Sequence, residues 1–305
     1  WEKQINKLKW TLNSGETIDA VNPNYKTTVD SDTPFRNVIL DDFLKPEVHK
    51  EIQEEFCDIP IDTGRYKGVS RTPEPLFVEY GGDWHDAYRM NLNPDYGLKM
   101  NFFQTKSWQD FIAGFFADTR KKSYREFTNE VLTELHHHEE LSRDGFIHND
   151  YDPAKFLGNR IYDGLDTGWQ SCRQEACDAP HGNMRFVSRA AATIYYVGYG
   201  PKVNEDEPSG GHTAFFQDGP NFETPVGGVE PVENRVAIFE TSPISWHASR
   251  TNNSTYRDSI YNWWHAEIDF MKNKYPTVDL CKDVRYSETG WAADKGTYGT
   301  AVTGV

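Results

Sequence analysis

Two histidines and an aspartate carry the most specific chemistry in the chain. His148 and Asp150 flank Asn149, and His247 lies far downstream. Two imidazole nitrogens and one carboxylate on one face of a metal ion leave three positions open, the donor set suited to non-haem ferrous iron. Residues two apart on a strand share a side, so the His-x-Asp spacing would place both donors on one face. Arg257 and Ser259 stand ten and twelve residues after His247. A metal-binding histidine and an arginine on the neighbouring strand can hold one small dicarboxylate between them. The metal takes one end, and the guanidinium, with its parallel N–H donors, takes the other.

The elements that must position these groups follow from periodicity. Arg235 to Ala266 reads as two strands joined by a polar turn, the first ending at His247 and the second opening with Arg257. Alternation then puts Arg257, Ser259, Tyr261 and Trp263 on one face and Asp258, Ile260, Asn262 and Trp264 on the other. Upstream, RNVILDDFL predicts a strand feeding an amphipathic helix, with Pro46 in its first turn and Val48, Ile52 and Phe56 on its apolar stripe. Residues 58 to 105 read as loops and short strands. SWQDFIAGFFAD predicts a second helix, Ser107 and Asp110 forming a capping box and Trp108, Phe111, Ile112, Phe115 and Phe116 the stripe. REFTNEVLTELHHHEEL predicts a third, with Phe127, Val131, Leu135 and His138 on one face. Consecutive helical residues point about 100° apart, so His136 to His138 read as a solvated helix surface and not a metal site. From residue 146 the pattern changes to strands: FIHND, an irregular insert over 151 to 184, FVSRAAATIYYVGY, SGGHTAFF, RVAIFE, SWHAS and RDSIYNWWHAEI. Helices followed by antiparallel strands predict an α+β domain in which N-terminal helices brace a double-sheet jelly roll. The expected organisation is an arm over 1–34, a domain over 35–270 and a peripheral extension over 271–305.

Composition narrows the function. The 305 residues are 37% hydrophobic and 14% aromatic, ample for a buried core. A net charge of −15 argues against a nucleic-acid surface, which needs clustered Lys and Arg. No apolar run approaches the roughly 18 to 20 residues that cross a bilayer, and WEKQINKLKW lacks a signal-peptide apolar region, so a non-membrane protein is expected, with its location cytoplasmic or left open. The chain begins without Met, which is compatible with a leader removed earlier. Of Cys57, Cys172, Cys177 and Cys281 only the middle two are near each other; free thiols are expected over a disulfide, and no second ligand pair makes a zinc site.

The ordered set VILDDFLKPEVHKEIQEEF, HND, RAAATIYYV, SGGHTAFF, RVAIFE, His247 and Arg257 resembles the Fe(II)- and 2-oxoglutarate-dependent oxygenases, in their prolyl 4-hydroxylase-like branch, over roughly residues 36 to 266. The resemblance implies a double-stranded β-helix core of the cupin-like kind. It implies His148, Asp150 and His247 as iron ligands, Arg257 on the distal carboxylate of 2-oxoglutarate, and Ser259 and Tyr196 as helpers. O2 would be the second cosubstrate and ascorbate a compatible reductant. The implied reaction couples decarboxylation of 2-oxoglutarate to succinate and CO2 with attack on an unactivated C–H bond. With no peptide-binding module evident, a small, amino-acid-like substrate is expected, hydroxylated or oxidatively cyclised as in kainoid biosynthesis. A peptidyl prolyl hydroxylase, a halogenase and a non-catalytic jelly-roll binding protein are the alternatives.

Some residues depart from that pattern. The insert after Asp150 is long and could form a substrate lid. His212 stands where these hydroxylases carry Glu or an apolar residue, facing either substrate or solvent. His181, followed by Gly182, would leave the halide vacancy of a halogenase if it replaced His148 as ligand. Arg189 could clamp a substrate carboxylate or sit at a strand edge. Trp246, Trp263 and Trp264 read as core or rim aromatics, although Trp263 shares the Arg257 face and could touch substrate. His265 reads as structural.

Overall fold

The computed structural model describes residues 2–67, 72–79, 87–116, 127–142, 145, 147–151, 153–156, 158, 160–171, 185–206, 210–217 and 224–276. The chain opens with a short helix α1 (Glu2–Ile5), the hairpin of β1 (Lys9–Thr11) and β2 (Thr17–Asp19), and β3 (Lys26–Ser31), which pairs with β4 (Asn37–Asp41). Helix α2 (Pro46–Cys57) follows, then β5 (Ile61–Lys67), β6 (Phe77–Glu79), β7 (Ala87–Asn91), helix α3 (Lys106–Phe116) and β8 (Val131–Glu139). Next come β9 (Pro153–Phe156), the pair β10 (Ile161–Tyr162) and β11 (Leu165–Asp166), β12 (Trp169–Ser171) and the long β13 (Arg185–Tyr199). The chain continues through β14 (Thr213–Phe216), β15 (Pro225–Val229), β16 (Arg235–Glu240), β17 (His247–Ser249), β18 (Tyr256–Glu267) and helix α4 (Ile268–Lys274).

Strands dominate, in two sheets that matter for the site. Eleven strands form the larger, in the order β3-β4-β16-β13-β18-β8-β7-β6-β5, with β9 and β12 continuing it from the start of β13; the smaller runs β15-β14-β17. One face of the large sheet meets the small sheet in a cluster that includes Phe35, Ile194, Tyr196, Phe215, Phe239, Tyr261 and Trp263. Its other face shares a cluster with Val48, Ile52 and Phe56 of α2 and with Trp108, Phe111, Ile112, Phe115 and Phe116 of α3. Both expected apolar stripes are therefore buried as the periodicity requires.

Several expectations change. The segment over 125–141, expected as a helix, is strand β8 where it is regular, paired with β18 on one side and β7 on the other. Val131 and Leu135 pack on the helix-covered face and Leu132 on the inner face. A strand buried on both faces shows no alternation of polarity, so Val131, Leu135 and His138 mimic a helical stripe. Helix α3 is capped by Thr105, not Ser107: Trp108 N–H donates to Thr105 Oγ1 at 3.2 Å. Arg235 to Ala266 makes three strands, because the chain leaves the large sheet after β16 and enters the small one at β17. The first 34 residues do more than lie on the surface, since Leu8, Trp10, Ala20 and Val21 join the core and β3 is a sheet edge. The described part of the insert pairs with β13 through β9 and so extends the sheet. Helix α4 buries Met271, and Lys274 and Tyr275 reach Glu240. Cys57 is an exposed free thiol. Cys172, Cys177, His181, Gly182 and Cys281 lie outside the described residues, as does most of the expected lid. No described helix is long and apolar enough to cross a membrane.

Candidate active site

Strand β17 opens on His247, and His148 forms an isolated bridge to it through backbone hydrogen bonds of 3.0 and 2.7 Å. The bridge brings the two imidazole rings to 4.4 Å between centroids. Strand alternation, the expected reason for the His-x-Asp gap, is not what joins Asp150 to them. Asp150 has φ of 55°, a left-handed conformation, so the chain turns at the carboxylate. The turn is held by buried Asn149, whose Oδ1 accepts from Tyr151 N–H at 3.1 Å and whose Nδ2 donates to Pro243 O at 3.0 Å. Asp150 then lies 3.7 Å from His148 Nε2 and 3.5 Å from His247 Nε2. The donor atoms of the three residues all fall within 4.8 Å of one another, the one such cluster of three among the described residues.

The surroundings prepare these groups to bind a cation. His247 Nδ1–H donates to Ser245 O at 2.8 Å, which leaves the Nε2 lone pair for a metal. Asp150 Oδ1 accepts from Arg189 Nη1 at 2.5 Å and Oδ2 from Trp263 Nε1 at 2.6 Å. Burial alone would raise the Asp150 carboxyl, but Arg189, His148 and His247 outweigh it and hold the group well below the usual carboxylate range. Arg189 reaches this place because of an irregularity in β13. Ala192, Ile194 and Tyr196 face the inner layer, and the register shift between Arg189 and Ala191 changes the phase so that Arg189 joins them. Its guanidinium lies over the Trp263 ring at 4.6 Å. Arg189 and Trp263, two of the three residues expected as substrate contacts, thus orient the aspartate.

No family model and no curated protein sequence matches the chain. Solved structures similar to it include a viral collagen prolyl hydroxylase from Paramecium Bursaria Chlorella virus-1, at 14% identity and TM-score 0.36 over 59% of this chain and 78% of that one. A prolyl hydroxylase from Trichoplax adhaerens, in complex with a hypoxia inducible factor peptide fragment, is similar at 12% identity and TM-score 0.44 over 75% and 83%. HygX from Streptomyces hygroscopicus, with nickel, 2-oxoglutarate and hygromycin B bound, is similar at 10% identity and TM-score 0.37 over 76% and 83%.

A second buried polar group lies on β18. Arg257, 1% exposed, donates from Nη1 to Gly211 O at 2.7 Å and from Nη2 to Tyr261 OH, and its guanidinium lies 6.0 Å from the Tyr196 ring centroid. Gly211 has φ of +64°, and a Cβ there would come within 3.3 Å of Arg257 Cδ, which accounts for glycine in the SGGH stretch. Ser259 stands opposite Tyr196 in the β13–β18 register, and Tyr196 OH is 3.2 Å from Thr213 Oγ1. Burial raises the Tyr196 hydroxyl, so it is a neutral hydrogen-bonding group.

Other candidates fall outside the cluster. The His212 carbonyl accepts from Arg250 N–H at 2.9 Å, and its imidazole is not among the converging ligands. Trp246 and Trp264 are core residues, and His265 Nδ1 donates to Glu130 O at 3.0 Å as a structural group. Sequence reasoning missed Glu134, His136 and His138, which the strand carries on the same side as Leu132. His136 Nε2 is 3.1 Å from Glu134 Oε2, and Arg89 Nη1 is 3.9 Å from Glu134 Oε1. Their spacing of two in ELHHH was the available signal.

Proposed function

We propose that this chain is an Fe(II)- and 2-oxoglutarate-dependent oxygenase with a double-stranded β-helix core braced by its N-terminal helices. The observation that carries the reading is the convergence of His148, Asp150 and His247, together with a buried arginine on β18, Arg257, whose Nε has no partner among the described residues. The donor set fits: two imidazoles, one with its tautomer fixed, and a carboxylate kept ionised make the facial arrangement that ferrous iron takes. Bound Fe(II) and 2-oxoglutarate, with O2, supply oxidative decarboxylation to succinate and CO2 and the oxidising power to attack an unactivated C–H bond. The chain's own residues set positions. His148, Asp150 and His247 hold the metal, Arg189 and Trp263 fix the carboxylate, and Arg257, Ser259 and Tyr196 take the distal end of 2-oxoglutarate. Phe239, Tyr261 and Trp263 belong to the buried apolar cluster of the inner face, which would limit water there.

The substrate is read as a small, amino-acid-like molecule, hydroxylated or oxidatively cyclised. Charged groups on the inner face, Arg89 and Glu134, favour a small zwitterion over an uncharged peptidyl proline. A halogenase needs a vacancy where Asp150 supplies a ligand, which disfavours that alternative. Anaerobic titration of Fe(II)-loaded protein with 2-oxoglutarate tests the reading. A visible charge-transfer band is expected, and His247→Ala should not form it; bound iron without a band would leave a non-catalytic binding protein as the better account.

A further inference from the structure

The strand pair that carries Arg257 has more unmet hydrogen-bonding capacity than Arg257 alone. Three buried side-chain atoms on β18 and β8 have no partner among the described residues: Arg257 Nε, Ser259 Oγ and His138 Nε2. Arg257 stands directly opposite His138 in the register, and Ser259 opposite His136 one step along. Directly opposed residues share a face with Cβ atoms about 5 Å apart. A buried polar atom without a partner is costly, and three gathered on one face of two adjacent strands point to a ligand that satisfies them together.

The character of the three atoms selects the ligand. Arg257 Nε and Ser259 Oγ carry donor hydrogens. His138 Nδ1 lies 3.1 Å from Ser142 Oγ, and with the Ser142 hydroxyl donating to it the ring proton sits on Nε2. Burial, with Arg257 adding to it, keeps His138 well below its usual range, so the ring is neutral. Three groups that can each donate, one of them a guanidinium, suit an anionic acceptor such as a carboxylate. We propose that His138 is a binding residue, donating from Nε2 to the distal carboxylate of the dicarboxylate cosubstrate alongside Arg257 and Ser259. The assignment rests on the oxygenase reading, and it gives β8 a direct part in cosubstrate selection.

The test is the dissociation constant of 2-oxoglutarate from the Fe(II)-loaded protein under anaerobic conditions, read from the charge-transfer band. His138→Phe should weaken binding about ten- to a hundredfold, the loss expected for a hydrogen bond to a charged group. His138→Gln, which keeps a side-chain N–H, should stay within about fivefold of wild type. Wild-type binding with a His138→Phe constant within about twofold of it overturns the inference and leaves the oxygenase reading intact, whereas no band in the wild-type protein removes both. Should His138→Phe fail to fold, ring nitrogen NMR of the Zn(II)-loaded wild-type protein decides. An Nε2–H tautomer whose resonance moves on adding 2-oxoglutarate supports the role, and an Nδ1–H tautomer or an unmoved resonance overturns it.

Discussion

Asp150 illustrates how single side chains prepare this site. A carboxylate 5% exposed would ordinarily resist ionisation, yet two donors, one of them the Arg189 cation, stabilise its charged form. Trp263 supplies one of those donors through its indole N–H, a role that a phenyl ring cannot perform. On the proposed iron reading, Trp263→Phe should therefore weaken Fe(II) binding about ten- to a hundredfold, as loss of an outer-sphere partner does. Metal titration of the purified variant checks this, and an unchanged affinity would reduce Trp263 to a packing residue. At this scale the types were legible: His148, Asp150, His247, Arg257 and Ser259 stand out from spacing. The partners were not, because Arg189 and Trp263 reach Asp150 across 39 and 113 positions of sequence.

Elements show where local pattern suffices and where neighbours override it. Helix α2 follows its sequence closely, with Pro46 at the start and Val48, Ile52 and Phe56 inward. Helix α3 follows it except at the cap, where Thr105 accepts from Trp108 N–H and donates to Phe102 O at 2.8 Å. Thr105→Ala should cost about 1 kcal/mol of stability, while Ser107→Ala should stay within about 0.5 kcal/mol. Urea unfolding midpoints distinguish them, and the reverse ranking would restore Ser107 as the cap. Strand β8 is the opposite case. Its residues have fair helical periodicity, but pairing on both sides makes it a strand, and the same pairing puts His136 and His138 on the face of Arg257 and Ser259.

For the whole molecule, the two faces of the large sheet differ: one carries the candidate site and the other the helical cover. His49 ties the cover to the sheet, its Nδ1 lying 2.5 Å from Tyr195 OH. Burial pushes His49 from 6.5 down to about 4. Below pH 6.5 the unfolded chain takes up a proton that the folded protein refuses until about pH 4, so stability falls as pH drops through that window. The loss for this one group approaches about 3 kcal/mol at the acid end. Denaturation from pH 7 to 4.5 should show His49→Gln losing less stability on acidification than wild type; parallel slopes would mean that the imidazole already charges in the fold.

The sequence by itself determined which residues could bind a metal and an anion, which segments form α2, α3, β13 and β18, and which face of β18 carries Arg257. These are properties of side-chain type and local periodicity, which a short window contains. Only the tertiary structure decided that β8 is a strand, that the chain changes sheets between β16 and β17, and that Asp150 enters the site through a left-handed turn. Each depends on pairing between segments far apart in the chain, which no short window contains.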